Sequence, residues 1–551
     1  MLDGCVPWPE DFARRYRERG YWRDITIGEQ LDAAIARWGD REALVSGAER
    51  LTYRELGARI DRLAVRLAQS GLKPLDRVVL QLPNVPEFVY VYYALVKIGV
   101  IPVMAMRAHR HTEIRHFVKS AGAVGWFIPG RFGNFDFPAM AEEVKADCPT
   151  LTHVFVAGEP RPGQIGIGPM IAEPANEGEV RGTLKRLRPD PSEVALMLLS
   201  GGTTALPKLI PRTHIDYVYN CTQCGQVAGF SEHTIYMAVL PLAHNYNLAC
   251  PGIMAAFASG GKVVLAPSPD AETVFPLVEH ERISVIAAAV PLVANWLNSP
   301  VPKRTSLSSL KVIQNGGARL GPELRQRVRD ELRCTPQEIY GTAEGLINIV
   351  RLDDDEEALL HSSGAPVSPD DEIKVVDDND NELPDGEPGE LLTRGPYTIR
   401  GYYNAPEKNK EAFTADGFYR MGDIVRKRGR HVYTEGRRKD LINRGGEKIS
   451  CDEIENYIFA HPKVKTVTLV AMPDEVFGEK ACAFVIPKPG ETLTFDELIA
   501  FLRAQKIASF KLPERLELRS EFPLSPAGKI LKRTLREEIT AQLAAEKAAR
   551  K

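Results

Sequence analysis

Between Leu51 and Leu360, apolar runs of strand length alternate with stretches of helical periodicity. Tyr53–Ser70 carries apolar residues at helical spacing, Arg77–Leu82 has the composition of a strand, and Glu87–Ile98 is apolar enough to be a core helix. Alternation of this kind indicates an α/β architecture. Three later apolar runs also predict buried strands, each followed directly by proline: Ile235–Leu240, Lys262–Ala266 and Val285–Val290.

The pattern changes beyond Pro366. Short alternating segments, Ile373–Val376 and Gly389–Leu392, with the acidic turn Asp377–Asn381, predict a small all-β segment. A further boundary is expected near Gly436–Asp440. The remainder is predicted to be a small α/β unit with two strands, one helix and a charged, solvated terminal helix: Val467–Ala471, Ala483–Ile486, Phe495–Gln505 and Leu535–Lys551.

With 551 residues the chain is too long for one compact core, and two or more domains are expected. A net charge of −3 gives no reason to expect nucleic acid or an anionic membrane as a partner. The first residues lack a basic segment followed by an apolar one, and the most apolar stretch, Ala94–Met106, is broken by Lys97, Gly99 and Pro102. We therefore expect no secretory signal and no membrane span.

The 8 cysteines have no framework spacing, which suits a reducing cytoplasm. Cys221 and Cys224 form a single CxxC pair, and His214 alone is a poor third ligand. Structural cysteines are expected there rather than a zinc or redox centre.

Residues 200–214 have the sequence SGGTTALPKLIPRTH and follow the strand candidate Val194–Leu199. Glycine lets backbone N–H groups approach an anion, Ser and Thr add hydroxyl donors, and Lys208 adds positive charge. This composition predicts a polyphosphate-binding loop, although isolated clusters of these residues are often ordinary turns. No GKS or GKT follows, so the loop is not of the kinase or GTPase type.

Five other segments make the prediction of a nucleotide site more specific. YGTAEG (340–345) places a Thr and a Glu two residues apart, which suits an α-phosphate and a hydrated Mg²⁺. YRMGD (419–423) ends in an Asp that could accept both ribose hydroxyls. The others are GRRKDLINRGGEK (436–448), PLSPAGK (523–529) and PLAHNYNLACPG (241–252). Each segment alone is more often a surface loop or turn.

Taken in order, these segments resemble the adenylate-forming superfamily of acyl- and aryl-CoA ligases, luciferases and peptide-synthetase adenylation domains. RGGEK, LLTRGPYTIRGYY and the HNY stretch are most similar to stand-alone aryl acid–AMP ligases of siderophore pathways. The resemblance implies an N-terminal adenylation core over residues 1–438 and a small, mobile α+β C-terminal domain over 439–551. It also implies ATP and Mg²⁺ as cofactors.

The resemblance also assigns roles to individual residues. Lys529 would bridge the substrate carboxylate and the α-phosphate, His244 would border the carboxylate, Glu344 would meet Mg²⁺ and Lys439 would be the hinge. The ATP and AMP site would comprise Ser200, Gly201, Gly202, Thr203, Thr204, Lys208, Gly317, Ala318, Tyr340, Gly341, Thr342, Asp423 and Arg437. The family loop more often has Gly where Ala205 and Leu209 stand, which affects the flexibility expected of the loop and not its role.

The same resemblance predicts an aryl acid pocket formed by Asn245, Tyr246, Cys250, Gly316 and Ile347, with Gly317 and Ala318 extending the floor under the ring. Asn245 would bond a 2-hydroxyl group. Related enzymes that use 2,3-dihydroxybenzoate usually have Ser where Cys250 stands, and salicylate users usually have Cys. A thiol is a weak donor, so salicylate is predicted first and 2,3-dihydroxybenzoate is tolerated. Alternatively, Cys250 only packs and has no part in selectivity. Asn247 stands where similar enzymes often have Pro, so the far side of the pocket around the ring is expected to differ from theirs.

The acyl group would then pass to a separate thiol, either the phosphopantetheine of an aryl carrier protein or coenzyme A, along a path lined by Gly445 and Gly446. An aryl-CoA ligase of catabolism is therefore an open alternative. A non-catalytic relative that binds ATP or an acid is disfavoured by the joint presence of Glu344, Asp423 and Lys529. An oxidative, luciferase-like activity has no positive support.

Overall fold

We analysed a computed structural model of the chain, which describes residues 1–200, 207–437, 440–444, 447–474, 476–505, 507, 509–525 and 528–549. The helices are α1 (Glu10–Glu18), α2 (Ile27–Trp38), α3 (Tyr53–Gln69), α4 (Pro86–Lys97), α5 (His111–Ala121), α6 (Phe137–Asp147), α7 (Ile167–Ala172), α8 (Glu177–Leu187), α9 (His214–Val227), α10 (Asn245–Ala249), α11 (Gly252–Ala258), α12 (Ala271–Glu281), α13 (Val290–Leu297), α14 (Pro322–Leu332), α15 (Glu356–His361), α16 (Pro406–Ala412), α17 (Cys451–Phe459), α18 (Phe495–Ala504) and α19 (Lys532–Ala549).

The strands are β1 (Glu42–Ser46), β2 (Glu49–Thr52), β3 (Arg77–Leu80), β4 (Ile101–Met104), β5 (Gly125–Pro129), β6 (Arg131–Phe132), β7 (Phe135–Asp136), β8 (His153–Ala157), β9 (Ile165–Gly166), β10 (Val194–Leu199), β11 (Leu209–Thr213), β12 (Ile235–Ala238), β13 (Lys262–Leu265), β14 (Val285–Ala288), β15 (Val312–Gly316), β16 (Thr335–Thr342), β17 (Gly345–Ile349), β18 (Ala365–Pro366), β19 (Glu372–Val376), β20 (Gly389–Arg394), β21 (Tyr419–Arg428), β22 (His431–Arg437), β23 (Ile442–Arg444), β24 (Glu447–Ile449), β25 (Val464–Asp474), β26 (Gly478–Pro487) and β27 (Arg515–Leu518).

Two large sheets form the N-terminal part of the described chain. One has the order β11-β10-β4-β3-β5-β8-β9 and the other β18-β17-β16-β15-β14-β12-β13-β1-β2. Their central strands pair in parallel, as β3 does with β4 and β14 with β15. Central strands such as β14 are apolar and buried along their whole length, which is the pattern of strands covered on both faces. The predicted α/β architecture is therefore confirmed.

The sequence patterns located most elements correctly, with shifts at their ends. The helix predicted from Glu87 is α4, which begins one residue earlier at Pro86. The strand predicted over Val285–Val290 ends at Ala288, because Val290 already belongs to α13. Pro291 lies in the first turn of α13, where its missing N–H leaves no helical hydrogen bond unmade.

A small antiparallel sheet with the order β19-β20-β21-β22 follows, and it confirms the predicted all-β segment. A separate C-terminal domain then contains β23 to β27, with β25 and β26 as its long central hairpin. Residues 438 and 439 lie outside the described part of the chain, so the domain boundary between them stays a prediction.

The terminal helix α19 is not solvated on all sides as the sequence predicted. Leu535 and Ile539 are buried against Val470 and Phe484 of the β25–β26 hairpin. The expectation was wrong because two apolar residues four apart supply a narrow stripe, which is easily overlooked among the charged residues of this helix. Within the described helices, none has both the length and the apolar character that crossing a membrane requires.

Candidate active site

The carboxyl ends of neighbouring parallel strands bring the predicted motifs together. In the larger sheet β15 pairs with β14 and β16, and β14 also pairs with β12. The loop that carries His244 follows β12, Gly316 and Gly317 stand at the end of β15, and Thr342 ends β16. In open α/β sheets ligands bind outside this edge, so the topology alone predicts a common cleft.

The predicted phosphate loop joins β10 to β11, and hydrogen bonds close its base. The Ser200 N–H donates to the Lys208 carbonyl at 3.0 Å, and the Lys208 N–H donates to Ser200 Oγ at 2.9 Å. Lys208 Nζ lies 5.0 Å from the centre of the Tyr402 ring. Burial and the nearby charge of Lys408 lower the pKa of Lys208, while Glu344 opposes the shift. Gly201, Gly202, Thr203 and Thr204 lie outside the described residues.

A tight turn between β16 and β17 presents Thr342 and Glu344. Thr342 Oγ1 donates to the Gly345 carbonyl at 2.8 Å, and Gly345 has φ +133°, a conformation that favours glycine. The Glu344 carboxylate is buried and accepts a hydrogen bond from Tyr402 OH at 2.8 Å. The turn therefore holds one carboxylate close to Lys208.

The donor set fits a magnesium ion that is held mainly by a nucleotide. No cluster of three or more acidic, His or Cys side chains suited to a metal occurs in the described part of the chain. Mg²⁺ is commonly bound through one or two carboxylates together with substrate phosphates and water. Glu344 supplies one such carboxylate, and its second oxygen is not engaged by Tyr402.

Asp423 is the residue predicted to accept hydrogen bonds from the ribose hydroxyls. Its carboxylate is buried and accepts a hydrogen bond from Tyr340 OH at 2.7 Å. Asp423 on β21 is directly opposite Arg437 on β22, so the backbone brings both predicted ribose contacts to one point. The structure describes only the backbone of Arg437.

Lys529 reaches this cleft from the C-terminal domain. A Cβ atom on Gly317 would lie 3.1 Å from Lys529 Cε and 3.7 Å from Nζ, so the absent side chain leaves room for the lysine. Two hydrogen bonds join Ser525 to Lys529: the Ser525 N–H donates to the Lys529 carbonyl at 2.7 Å, and the Lys529 N–H donates to Ser525 Oγ at 3.1 Å. Lys529 is thus held on a short loop against the floor of the cleft.

His244 faces Lys529 as a neutral ring. Burial and the positive charge of Lys529 lower the pKa of His244 from 6.5 to about 3. Its Nδ1 accepts a hydrogen bond from the Tyr246 N–H at 3.2 Å and caps α10. With Nδ1 as the acceptor, the proton of the neutral ring is on Nε2, which can donate to an anion.

The predicted acid pocket adjoins His244. Tyr217 OH donates to Asn245 Oδ1 at 2.7 Å, and the amide NH2 of Asn245, which has two N–H donors, bonds the Cys250 sulfur. A Cβ on Gly316 would meet the Tyr246 ring at 2.9 to 3.1 Å, and only glycine lets this ring pack so closely. Ile347 is buried on β17, and its N–H donates to Tyr397 OH at 3.1 Å.

Cys250 is buried at the centre of a polar group of side chains. Asn220 Nδ2 donates to its Sγ at 3.4 Å, and Asn245 and Cys224 also contact the sulfur. Asn247, at which the sequence also departs from similar enzymes, accepts a hydrogen bond from Tyr236 OH at 2.5 Å. Cys250 therefore lies among groups that can exchange hydrogen bonds.

The structure brings most of the predicted residues to one cleft. Ala318 directly follows Gly317 after β15 and its carbonyl accepts from Asn315 Nδ2 at 2.7 Å, and Gly341 pairs with Ile347 in the β16–β17 ladder. The predicted hinge Lys439 and the thiol path of Gly445 and Gly446 lie outside the described residues.

Two tyrosines near these residues were not singled out from the sequence. Tyr402 bonds Glu344, and Tyr217 bonds Asn245. Tyr402 lies inside the quoted LLTRGPYTIRGYY segment, which was a usable signal, whereas Tyr217 belongs to an ordinary helical stretch and gave none.

Comparison with known proteins agrees with this geometry. A family model described as "AMP-binding enzyme" matches residues 31–403, and one described as "AMP-binding enzyme C-terminal domain" matches residues 453–529. The chain is 44% identical over 546 residues to "2,3-dihydroxybenzoate-AMP ligase" of Bacillus subtilis (strain 168), covering 99% of both chains.

It is also 45% identical over 544 residues to "Salicylyl-CoA synthase / salicylate adenylyltransferase" of Streptomyces sp, covering 98% of both chains. Among solved structures, "Mycobacterium smegmatis MbtA apo structure" superimposes with a TM-score of 0.74 and 37% identity, covering 97% of this chain and 99% of that one.

Proposed function

The chain belongs to the AMP-binding enzyme family, and from that premise we propose that it activates an aryl carboxylic acid, salicylate by preference, as the aryl adenylate. The observation that carries the proposal is the position of Lys529. It lies beside Gly317 and His244, which directly follow Gly316 and precede Asn245 of the predicted acid pocket. The names of the full-length relatives, which include enzymes for salicylate and for 2,3-dihydroxybenzoate, support the same class of substrate.

In the proposed reaction, a carboxylate oxygen of the acid attacks the α-phosphorus of ATP. A bond forms between that oxygen and phosphorus, the bond to the β-phosphate oxygen breaks, and pyrophosphate leaves with the electron pair. No proton moves at the reacting atoms. Two unit charges of the same sign about 4 Å apart repel by roughly 4 kcal/mol at an effective dielectric near 20. Lys529, placed between carboxylate and α-phosphate, would turn this repulsion into attraction.

The remaining groups orient the substrates. Thr342 would contact the α-phosphate, Asp423 and Arg437 would hold the ribose, and Lys208 would bind the outer phosphates. Neutral His244 would donate from Nε2 to the carboxylate without adding a charge. Glu344 would hold Mg²⁺, which when bound offsets charge on the phosphates of the leaving group.

Salicylate is the preferred substrate in this proposal. The NH2 group of Asn245, whose Oδ1 is already bonded to Tyr217, would donate to the oxygen of the 2-hydroxyl. Cys250 contacts Asn245. We assign Cys250 to the position beside a 3-hydroxyl, where a thiol is a weaker partner than a hydroxyl. Even an apolar pocket rejects an added hydroxyl by only about 10²-fold, and a thiol that accepts weak hydrogen bonds should reject it no more strongly, so 2,3-dihydroxybenzoate would also be used.

The second half of the proposed function is transfer of the acyl group to the phosphopantetheine thiol of a separate aryl carrier protein. Attack of the thiolate sulfur on the adenylate carbonyl would form the thioester and release AMP. Coenzyme A is the second candidate acceptor, and the name of the Streptomyces relative gives it specific support.

A panel of hydroxybenzoates, scored by acid-dependent exchange of labelled pyrophosphate into ATP, tests the first half-reaction. We expect salicylate to have the highest kcat/KM and 2,3-dihydroxybenzoate to follow. Absence of exchange with every aryl acid would overturn the proposal. Thioester formation with a phosphopantetheinylated aryl carrier protein and with free coenzyme A, compared at equal concentration, tests the acceptor.

A further inference from the structure

A completely buried arginine lies between the acid pocket and the turn that carries Glu344. Arg212 on β11 pairs with Asp216 on α9, with Nε 2.8 Å from Oδ1, and neither side chain is exposed. Thr213 also bonds the Asp216 carboxylate through its hydroxyl at 2.6 Å. The proposed reaction uses none of these three residues, and a buried ion pair is by itself weak evidence for a purely stabilising role.

Arg212 has a second contact, which points toward the nucleotide. Its Nη1 donates to the carbonyl oxygen of Ala343 at 3.0 Å. Ala343 lies between Thr342 and Glu344, the residues proposed to meet the α-phosphate and Mg²⁺. The guanidinium therefore holds the backbone of this turn from the side of the protein interior.

A third contact points toward the acid. The Arg212 guanidinium carbon lies 4.8 Å from the centre of the Tyr217 ring, and Tyr217 OH donates to Asn245 Oδ1 at 2.7 Å. Burial raises the pKa of Tyr217, so the hydroxyl stays protonated and keeps its role as donor. Ala343, Arg212, Tyr217 and Asn245 thus form one continuous relay of contacts from the phosphate turn to the acid pocket.

We infer that Arg212 and Tyr217 are positioning residues that hold the acid pocket and the phosphate turn at a fixed separation. The inference rests on the proposed function, because it takes Asn245 and the 342–344 turn as the two substrate contacts. Neither residue has a substrate contact in the proposed function. Their effect follows from geometry: a displacement of about 1 Å between reacting groups can reduce a rate by about 10²-fold.

The relay predicts a different kinetic effect at each of its two ends: on kcat at Arg212 and on the acid KM at Tyr217. Arg212→Lys keeps a charge for Asp216 but loses the planar, multi-donor group that contacts Ala343 and the Tyr217 ring together. We expect its kcat for adenylation to fall about tenfold or more, while the dissociation constant of the acid changes by less than about threefold. Tyr217→Phe keeps the ring under Arg212 and removes only the bond to Asn245, so the acid KM should rise about tenfold with kcat nearly unchanged.

The experiment measures pyrophosphate exchange per active site, titrated by the burst of adenylate, and acid binding by calorimetry in the presence of α,β-methylene-ATP. Two variants serve as matched controls. Arg351→Lys removes a guanidinium that donates to the carbonyls of Ile349 and Pro366, each at 2.7 Å, and Tyr53→Phe removes a buried hydroxyl that donates to the Gly261 carbonyl at 2.6 Å. A general loss of stability would lower the fraction of active enzyme in controls and test variants alike. It would leave kcat per active site unchanged.

A wild-type enzyme without exchange for any aryl acid would refute the proposed function. An active wild type whose Arg212→Lys variant keeps its kcat per active site would refute the inference alone. Should Arg212→Lys fail to fold, Tyr217→Phe carries the test, and an unchanged acid KM in that variant would overturn the inference.

Discussion

The acid pocket and the phosphate side of the cleft are built in different ways. Around the acid, buried side chains from α9 and α10 bond to one another, as Tyr217 does to Asn245 and Asn220 to Cys250. On the phosphate side, separate parts of the chain each contribute one charged group, such as Lys208 after the β10–β11 loop and Glu344 in the β16–β17 turn.

This difference has a physical consequence. A pocket whose donors are already oriented by neighbours selects among acids, since little has to move when the ligand binds. In the proposed function, the charged groups of the phosphate side act on the triphosphate and on the reacting atoms. Changes on the phosphate side are therefore expected to reduce rate, and changes in the pocket to alter selectivity.

The largest effect is expected from Lys529→Ala. Loss of the charge between the two anions should lower kcat for adenylation about 10²- to 10³-fold, while the dissociation constant of ATP stays near the wild-type value. Pyrophosphate exchange and equilibrium binding of ATP measure the two quantities. Lys511→Ala is the control, because Lys511 pairs with Glu453 within the C-terminal domain. Near-normal exchange in Lys529→Ala would contradict the assigned role.

The second largest effect is expected at the ribose. Asp423→Asn keeps the shape of the side chain but removes its charge, so the KM for ATP should rise about tenfold or more with the acid KM unchanged. Tyr340→Phe, which removes the hydroxyl that bonds Asp423, should produce a smaller rise. Steady-state kinetics with ATP varied separate the variants. A rise in the acid KM, with the KM for ATP unchanged, would contradict the proposed difference between the phosphate side of the cleft and the acid pocket.

Magnesium dependence gives a third comparison. Glu344→Gln should raise the Mg²⁺ concentration needed for half-maximal exchange about tenfold, because an amide is a poorer ligand than a carboxylate. Tyr402→Phe frees Glu344 from its hydrogen bond and should change this concentration by less. The measurement is a titration of exchange rate with Mg²⁺ at fixed ATP, and equal dependence in wild type and Glu344→Gln would rule out this ligand.

A smaller effect is expected from Cys250→Ser in the pocket. A hydroxyl is a better hydrogen-bond partner than a thiol, so the ratio of kcat/KM for 2,3-dihydroxybenzoate to that for salicylate should rise up to about tenfold. The same ratio in Cys334→Ser, a buried cysteine on another part of the fold, should stay constant. No relative gain for the dihydroxy acid would refute the selectivity argument.

The smallest kinetic effect is expected from pH. Because the pKa of His244 is lowered to about 3, this ring should not titrate between pH 5 and 8, and kcat/KM should show no step that His244→Asn removes.

The free energy of unfolding, in contrast, should depend on pH through another histidine. Burial also lowers the pKa of His214 to about 3, so in the unfolded chain this group gains a proton at a higher pH than in the folded one.

The contribution of His214 to the free energy of unfolding is therefore full above about pH 6.5 and is lost as the pH falls toward 3, by about 1.4 kcal/mol per pH unit. Urea unfolding between pH 7 and 5 measures this slope. His214→Gln should make the decline shallower, and an unchanged slope would contradict the shift.

The strength of the sequence patterns explains which parts of the fold were predicted. Continuous apolar runs located strands such as β10 and β12, since strands buried on both faces leave a clear pattern. The burial of Leu535 and Ile539 was missed, because the sheet that covers them is formed by residues elsewhere in the chain. The extension of a strand to Val290 was wrong, because apolar composition does not distinguish the end of a strand from the start of a helix.

The sequence by itself determined the fold class and the motifs from which the candidate site is built, because glycines, hydroxyls and charges at fixed local spacing carry their own chemical meaning. The tertiary structure alone decided that Lys529 lies against Gly317, that Tyr340 bonds Asp423, and that Arg212 connects the two sides of the cleft. The physical reason is distance. A hydrogen bond or ion pair forms only when two groups lie about 3 Å apart, and for residues far apart in sequence only the packing of the whole chain sets that separation.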